Sequence, residues 1–300
     1  MKWLKIYKKE LIKVPLNQSI NDISLKTIGI DSGQSLTKIA YVEGEELCLL
    51  VLPTNSSFNE IDEFLELKKN LSNKFNFTGG KAFNLYKKFS KELKTNLCNE
   101  FQAIITGLDN LFKINKKTKL PESLIVTIGT GTSVIWKKNE SFEHIGGTAL
   151  GGGFFMGLIK LLFDINNYQE AIKIANKGNR YNVDLKVSDI YDIEDDRIDA
   201  IFREFTASSF GKINENYETN TIKKEDIINS IINVIGENIG VIASKMAENK
   251  KLTQILFSGG FLKDNRILKR ILTIICTVNN KKAVFLKNSE FIGAIGALLG

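Results

Sequence analysis

Three absences limit what kind of protein this chain can be. Its 300 residues include three cysteines, Cys48, Cys98 and Cys276, which have no CxxC spacing and so indicate neither a disulfide framework nor a zinc site. No apolar run approaches the roughly 18 residues of a membrane span, and the basic start MKWLKIYKKELIK lacks the apolar stretch of a signal peptide. We therefore expect a cytoplasmic protein with free thiols and no membrane association.

Arginine is also scarce, and its scarcity bears on the net charge of +7. Lys and Arg number 41 against 34 Asp and Glu, but just five of the 41 are Arg. Proteins that read nucleic acid favour Arg for its bidentate fork, and the Lys residues here are interleaved with Glu and Asp. We interpret most of the charge as a solvated lysine-rich surface and expect no nucleic-acid partner.

What the chain does have is enough apolar material for about two domains. Hydrophobic residues make up 43% of it. Strand-like and helix-like stretches alternate, with just three prolines in the whole chain, which favours an α/β protein. A polar connector ends near residue 122, so we predict an N-terminal domain over 1–122 and a C-terminal domain over 123–300.

The two predicted domains contain similar strand–turn–strand segments. Residues 26–42 read as a buried strand, a glycine-containing turn and a second strand, and residues 123–138 repeat the pattern. The turn from Asp31 to Ser35 aligns on the turn from Gly129 to Ser133. The duplication predicts two related α/β domains that face each other across a cleft.

Apolar residues at helical spacing predict two long helices. The second extends from about residue 224 to 249. The first is marked by one apolar stripe: Leu93, Leu97, Phe101, Ile104, Leu108 and Leu111.

The first turn carries residue types that bind a nucleotide phosphate. Gly33 lets the backbone approach an oxyanion, Ser35 can donate its hydroxyl, and the Asp31 carboxylate can hold Mg²⁺ through bound waters. An ordinary hairpin turn explains this motif equally well. The second turn offers the same chemistry from the other domain, and the pair together favours a nucleotide cleft.

Two further glycine clusters are candidate nucleotide contacts. Gly151, Gly152 and Gly153 end a glycine-rich segment directly before a predicted helix, and helix starts gather anions. Gly259 and Gly260 follow a predicted strand and form a turn suited to a base or ribose, although a plain strand–helix turn accounts for them as well. We expect phosphate contact at the first cluster.

Glu100 and His144 are the remaining candidate functional residues. Phosphoryl transfer to an alcohol needs a carboxylate that orients or deprotonates the hydroxyl. Glu100 lies at the margin of the first apolar stripe, where burial would raise its pKa and make it a better base; an ordinary flanking Glu is the alternative. His144 is the single histidine and adjoins the glycine-rich segment.

In combination, these segments resemble the type II, or eukaryotic-type, pantothenate kinases. The resemblance runs in order from Thr27 to the end of the chain and rests on IGIDSGQSLTK (28–38), TGGKAF (78–83), NEFQAIITGL (99–108), VTIGTGTSV (126–134), GGTALGGGFFMGL (146–158), AIKIANKGNRYNVDLKVSDIY (171–191), TASSFGK (206–212) and FIGAIGALL (291–299). It implies an actin-like ATPase (ribonuclease H-like) fold, with two duplicated α/β domains around a nucleotide cleft.

The resemblance also implies an activity and a set of roles. The activity is ATP- and Mg²⁺-dependent phosphorylation of the primary hydroxyl of pantothenate, the first step of coenzyme A biosynthesis. Glu100 matches the catalytic carboxylate, and Thr130 and Ser133 match residues that hold pantothenate. The matching phosphate segments comprise Asp31, Gly33, Gln34, Ser35 and Lys38 in the first loop, with Asp31 at the metal, and Gly151, Gly152 and Gly153 in the second. Partners implied in the same way are a second copy of the chain, bound through the helix at 224–250, and acetyl-CoA or CoA as a feedback inhibitor at the ATP site.

Two positions depart from the family pattern. The first loop usually reads Asp-x-Gly-Gly-Thr, whereas this chain has Gln34 and Ser35. His144 stands where the family has an Arg that binds the pantothenate carboxylate, and a mostly neutral His cannot form the two parallel bonds of a guanidinium. The alternatives to an active pantothenate kinase are therefore a weakly active or regulatory paralogue that binds nucleotide or acyl-CoA, and a kinase for a related small alcohol.

Overall fold

The computed structural model describes residues 11–16, 26–54, 58–69, 72, 74–139, 141–213 and 222–300. The first ten residues of the basic N-terminal segment lie outside the described residues. Two main sheets and a short two-stranded ladder organise the rest.

The first sheet has six strands in the order β1-β4-β3-β2-β5-β6. From β2 to β4 it is an antiparallel meander, and β5 and β6 add in parallel on the other side of β2. The strands are β1 (Ile12–Pro15), β2 (Thr27–Ser32), β3 (Leu36–Glu43), β4 (Glu46–Pro53), β5 (Lys74–Thr78) and β6 (Thr95–Leu97), and the helices between them are α1 (Phe58–Lys68), α2 (Ala82–Phe89) and, after β6, α3 (Glu100–Lys116).

The second sheet has five strands in the order β13-β12-β7-β8-β9. It repeats the first sheet: β7, β8 and β9 form an antiparallel meander, and β12 and β13 add in parallel beside β7. The predicted duplication is therefore confirmed at the level of sheet topology. The strands are β7 (Ser123–Ile128), β8 (Thr132–Lys138), β9 (Ser141–Thr148), β12 (Gln254–Ser258) and β13 (Lys282–Phe285); the ladder is β10 (Leu185–Lys186) with β11 (Thr206–Ser208).

The helices that follow β9 in the chain are α4 (Gly152–Phe163), α5 (Tyr168–Ala175), α6 (Ala200–Arg203), α7 (Lys224–Asn249), α8 (Arg266–Val278) and α9 (Ile292–Leu299). Helix α7 is long and apolar enough to cross a membrane by length and composition alone, but 61% of its most apolar window is buried inside the protein. Gly236 and Gly240 of α7 pack against Ile271 and Ile275 of α8. Within the described residues, α7 is a core helix of the second half.

The first long helix begins later than its apolar stripe predicted. Leu93 and Leu97 precede α3, and Leu97 ends strand β6. The helix begins at Glu100 because the side chain of Asn99 accepts a hydrogen bond from the backbone N–H of Gln102 at 3.1 Å, which is an N-cap. Glu100 is therefore the first residue of α3 rather than a residue in the middle of a helix.

Helices α3 and α9 lie between the two sheets and share one core with both. The buried cluster there includes Leu49 of the first sheet, Ile135 of the second, Leu108 of α3 and Ile295 of α9. A Cβ added at Gly296 of α9 would collide with the carbonyl of Ala103, and one at Gly107 of α3 would collide with the carbonyl of Ile292. The two helix backbones are therefore in direct contact, although α9 falls in the range predicted for the C-terminal domain.

A buried ion-pair network ties the segment that contains β10 and β11 to α7. Arg180, 6% exposed, donates from Nε to Asp184 and from Nη1 to Glu237, each at 2.6 Å. The fully buried Asp184 also accepts a hydrogen bond from the Ser230 hydroxyl at 2.5 Å. Each buried charge thus has partners, as burial requires, and the segment is fixed to the second half.

Candidate active site

Asp31 lies near the end of β2, opposite Lys38 on β3 and Thr78 on β5. Lys38 Nζ lies 3.6 Å from Asp31 Oδ2, and the side chain of each residue is 17% exposed. No described residue donates a hydrogen bond to the carboxylate. Its lone pairs therefore remain free for a ligand.

The first loop is held from behind by a chain of hydroxyl groups. The side chains of Ser32 and Thr37 lie 3.2 Å apart, and those of Thr37 and Thr54 lie 3.0 Å apart, all three being buried. Gly33 N donates to the Leu36 carbonyl at 3.1 Å, while Gln34 and Ser35 are exposed at the tip. The turn is thus fixed at its base and open at its tip, as a phosphate-binding loop requires.

Glu100 is electrostatically coupled to this loop. Loss of hydration raises the pKa of its carboxyl first, the negative charge of Asp31 raises it further, and Lys38 opposes the shift. The side chain is exposed by surface area and starts α3, where the helix dipole favours the charged form. The net effect is nevertheless a raised pKa, because desolvation and the Asp31 carboxylate outweigh the opposing effect of Lys38. The upward direction of the shift and its cause, loss of hydration, match the sequence-based prediction, whereas the exposed surface of the side chain and the contribution of Asp31 were not predicted.

The second loop is joined to the start of α4 by backbone hydrogen bonds. Gly152 N donates to the Gly129 carbonyl at 2.7 Å, and Gly153 N donates to the Thr130 carbonyl at 2.9 Å. A Cβ added at Gly151 would lie 2.7 Å from the Thr130 oxygen, so the glycines permit this close approach. Two of the N–H groups that we predicted for phosphate are therefore used to hold the second loop.

A row of hydroxyl side chains crosses the second sheet beside that loop. Thr127 of β7 lies opposite Ser133 of β8 and beside Ser258 of β12, and the Thr127 and Ser258 hydroxyls are 3.1 Å apart. Ser133 Oγ is buried and has no hydrogen-bond partner among the described residues. Because strand side chains alternate, Ser133 shares a face with Ile135, which packs in the core around α3. An unpaired buried hydroxyl is costly, and that of Ser133 is available to a hydrogen-bonding ligand.

His144 lies on β9 and is exposed, and its ring stacks on the ring of Phe101. The ring centroids are 4.6 Å apart and the planes differ by 20°. Phe101 directly follows Glu100, so the stack places His144 of the second sheet beside the first turn of α3. The apolar stripe in the sequence predicted Phe101 as a core residue, but it did not predict the contact with His144.

The turn after β12 combines a strained glycine with an open one. Gly259 has φ +106°, and a Cβ there would collide with the carbonyl of Ile128, the last residue of β7. A Cβ added at Gly260 would meet nothing within 4 Å. Gly259 is thus required for close packing against the end of β7, whereas the position of Gly260 is open.

The described residues fit a hydrated divalent cation better than a fully protein-bound metal. No group of three or more His, Cys, Asp or Glu that could hold a metal ion is present among them. One carboxylate with unused lone pairs, Asp31, suits Mg²⁺, which keeps most of its waters and binds through substrate phosphates.

The three thiols play no visible part in this chemistry. Burial raises the pKa of Cys48 and Cys98, and it raises that of Cys276 to about 11. Raised values keep thiols protonated and poorly nucleophilic at neutral pH.

The sequence of the chain is similar to those of one family of known proteins. The Fumble family profile matches residues 43–300. The type II pantothenate kinase of Oceanobacillus iheyensis is 37% identical over 279 residues, covering 92% of this chain and 99% of the relative. That of Bacillus thuringiensis subsp. konkukian is 35% identical over 280 residues, covering 91% and 96%.

Two solved structures share the fold at low identity. The activator of the 2-hydroxyisocaproyl-CoA dehydratase from Clostridium difficile with bound ADPNP has a TM-score of 0.59 at 17% identity, covering 91% of this chain and 92% of its own. A ROK family glucokinase from Streptomyces griseus in complex with glucose and AMPPNP has a TM-score of 0.53 at 10% identity, covering 91% and 97%. With the duplicated sheets, these matches show the predicted two-domain actin-like fold.

Proposed function

The chain belongs to the type II pantothenate kinase family, and from that premise we propose that it transfers the γ-phosphoryl group of ATP to the primary hydroxyl of pantothenate. The observation that carries this proposal is the match to type II pantothenate kinases over more than 90% of the chain, and the raised pKa of Glu100, to which Asp31 contributes, supports it. A carboxyl group with a raised pKa beside a loop built for phosphate is what transfer to an alcohol requires.

Glu100 accepts the proton of the substrate hydroxyl as the hydroxyl oxygen attacks the γ-phosphorus, while the bond from the γ-phosphorus to the oxygen shared with the β-phosphate breaks and ADP leaves. A raised pKa brings the carboxylate closer to the working pH, where a general base is most effective. Asn99 fixes the start of α3, and thereby fixes the backbone that carries Glu100.

The first loop binds the phosphates, with Asp31 holding Mg²⁺ through its waters and Lys38 adding positive charge. When bound there, Mg²⁺ would neutralise the charge that develops on the phosphate groups. The backbone at Gly33 and the exposed Ser35 hydroxyl face the phosphates, and Gln34 adds an amide at the tip.

The second half binds the substrate and the rest of the nucleotide. Gly151, Gly152 and Gly153 act by holding the second loop, from which Thr130 extends to the ligand; the open space at Gly260, beside Gly259, receives the nucleoside. The unpaired Ser133 hydroxyl contacts pantothenate, and His144 faces its carboxylate.

Location, assembly and regulation complete the proposal. The enzyme is cytoplasmic. It forms a homodimer through the outer side of α7, where Val241 is 47% exposed. The rest of that helix is mostly buried within its own chain. Acetyl-CoA or CoA competes with ATP. Light scattering on purified protein tests the dimer, and inhibition assays at varied ATP concentration test the competition by acetyl-CoA or CoA.

One assay decides among the candidate activities. Purified protein is given Mg·ATP with pantothenate, pantetheine or a panel of sugars, and Glu100→Gln is compared with Glu170→Gln, a surface change in the first turn of α5. Turnover of pantothenate that is lost in Glu100→Gln and kept in Glu170→Gln supports the proposal. Nucleotide or CoA binding without turnover indicates a regulatory paralogue, which the Gln34 and His144 departures motivate, and turnover of another alcohol alone indicates a related kinase.

A further inference from the structure

The carboxylate of Asp31 lies in a slot between two glycine backbones. A Cβ added at Gly79, directly after β5, would lie 2.5 Å from Asp31 Oδ1. A Cβ added at Gly293, in the first turn of α9, would lie 2.6 Å from Oδ2 and 2.8 Å from Cγ. The two glycines belong to different elements and approach different oxygens of one carboxyl group.

This slot fixes the orientation of Asp31 without using its lone pairs. Lys38 Nζ, 3.6 Å from Oδ2, is the charged group beside it, and no described residue donates a hydrogen bond to it. The walls restrain the side chain by contact alone. Any residue other than glycine at either wall would push the carboxylate out of its present position.

We propose that Gly293 is a positioning residue for Asp31, with Gly79 as the opposite wall. The slot holds the carboxylate in the direction from which it takes the waters of nucleotide-bound Mg²⁺. This inference rests on the proposed function for the role of Asp31, but the contact itself stands on the geometry.

Gly293 differs in kind from the other close-packed glycines of α3 and α9. The atoms nearest to a Cβ at Gly107 or Gly296 belong to the neighbouring helix backbone, so those two glycines permit helix packing. The three atoms nearest to a Cβ at Gly293 all belong to the Asp31 side chain. Gly293 also has no positive φ, whereas Gly79 has φ +93°. Substitution of Gly293 therefore tests the slot without backbone strain.

A double-mutant cycle on thermal stability tests the contact in the full chain. We expect Gly293→Ala to lower the Tm in the wild-type background. In an Asp31→Ala background the same change should be neutral or stabilising, because the carboxylate is gone and alanine is the better helix former. Gly157→Ala, at an open position in α4, is the matched control and should behave alike in both backgrounds. An equal loss of Tm from Gly293→Ala in both backgrounds overturns the proposal.

A binding experiment tests the consequence. The affinity for ADP is measured by calorimetry with Mg²⁺ and again with EDTA. A displacement of about 1 Å can cost a catalytic group about 100-fold in activity. We therefore expect Gly293→Ala to reduce the Mg²⁺-dependent gain in affinity by about tenfold or more. The affinity measured in EDTA should not change. A full Mg²⁺ gain in Gly293→Ala overturns the positioning role.

The two measurements also separate this inference from the proposed function. If Asp31→Ala keeps the Mg²⁺ gain of the wild type, the assigned role of Asp31 is wrong and the positioning role falls with it. The stability cycle still reports whether Gly293 sets the place of that side chain.

Discussion

At the scale of single residues, the candidate site brings together charged side chains with opposite effects on the pKa of Glu100. Loss of hydration and the negative charge of Asp31 both raise the pKa of the Glu100 carboxyl. Lys38 lies against Asp31 and moderates the effect. The Glu100 carboxyl is thus suited to accept a proton, whereas the Asp31 carboxylate, beside Lys38, is suited to hold a hydrated cation.

The raised pKa of Glu100 predicts opposite effects of Glu100→Gln on activity and stability. Because the general base is lost, kcat should fall by about 100-fold or more. Because the folded protein disfavours the charged form, the carboxyl contributes its full stability below its unfolded pKa of about 4.3 and loses it as pH rises through the raised folded value. Glu100→Gln should therefore have a higher Tm than the wild type at pH 8, and the difference should vanish near pH 4. A lower Tm at pH 8 would contradict the assignment.

In the wild type, the raised pKa of Glu100 predicts that kcat/KM decreases on the acid side of its pH profile. Activity requires the deprotonated carboxyl, so kcat/KM should fall as pH decreases through the raised pKa of Glu100. Glu170→Gln, which leaves the site intact, should keep that limb unchanged. A flat profile on the acid side would argue against Glu100 as the base.

His144→Arg should improve recognition of a carboxylate. A guanidinium forms two charge-assisted bonds with a carboxylate, and a hydrogen bond to a charged group is worth about 1.5–3 kcal/mol, so KM for pantothenate should fall by about tenfold. KM for pantetheine, which lacks the carboxylate, should not change. An equal decrease for both substrates would mean that His144 does not face the carboxylate end.

At the scale of elements, local patterns were readable and long-range contacts were not. The apolar runs around Asp31 and Thr130 predicted both hairpins, and these were confirmed. The stripe through Leu93 failed because apolar spacing continues across a break that the Asn99 cap creates. The Phe101–His144 stack and the slot around Asp31 join residues far apart in sequence, which periodicity cannot reveal.

The contact between α3 and α9 predicts a large cost for a single methyl group. A Cβ at Gly296 collides with the Ala103 backbone, which cannot move like a flexible side chain, so the free energy of unfolding should fall by about 3 kcal/mol. Gly157→Ala, in open space on α4, should leave it unchanged or slightly higher. Urea denaturation measures both. Similar values for the two variants would show that α3 and α9 can separate at little cost.

At the scale of the whole molecule, the duplicated halves are joined by a core that belongs to both. Leu49 and Ile135 come from different sheets and lie in one buried cluster with residues of α3 and α9. The first loop and Glu100 belong to the first half, and the second loop and the hydroxyl row belong to the second. Nucleotide bound by both sides therefore acts on a molecule whose halves are already coupled.

Because the two halves share one buried cluster, we expect them to unfold in one transition. A bound ligand should move that whole transition to higher temperature. Since removal of either half exposes the shared cluster, calorimetry should show a single peak for the apoprotein. Mg·ADP at about 100 times its Kd should add about 2.7 kcal/mol to the free energy of unfolding and move the whole peak to higher temperature. Asp31→Ala should reduce the shift with Mg²⁺ present and keep the single peak. Two separate peaks, with only one of them moved by Mg·ADP, would mean that the halves unfold independently and that the nucleotide is held by one of them.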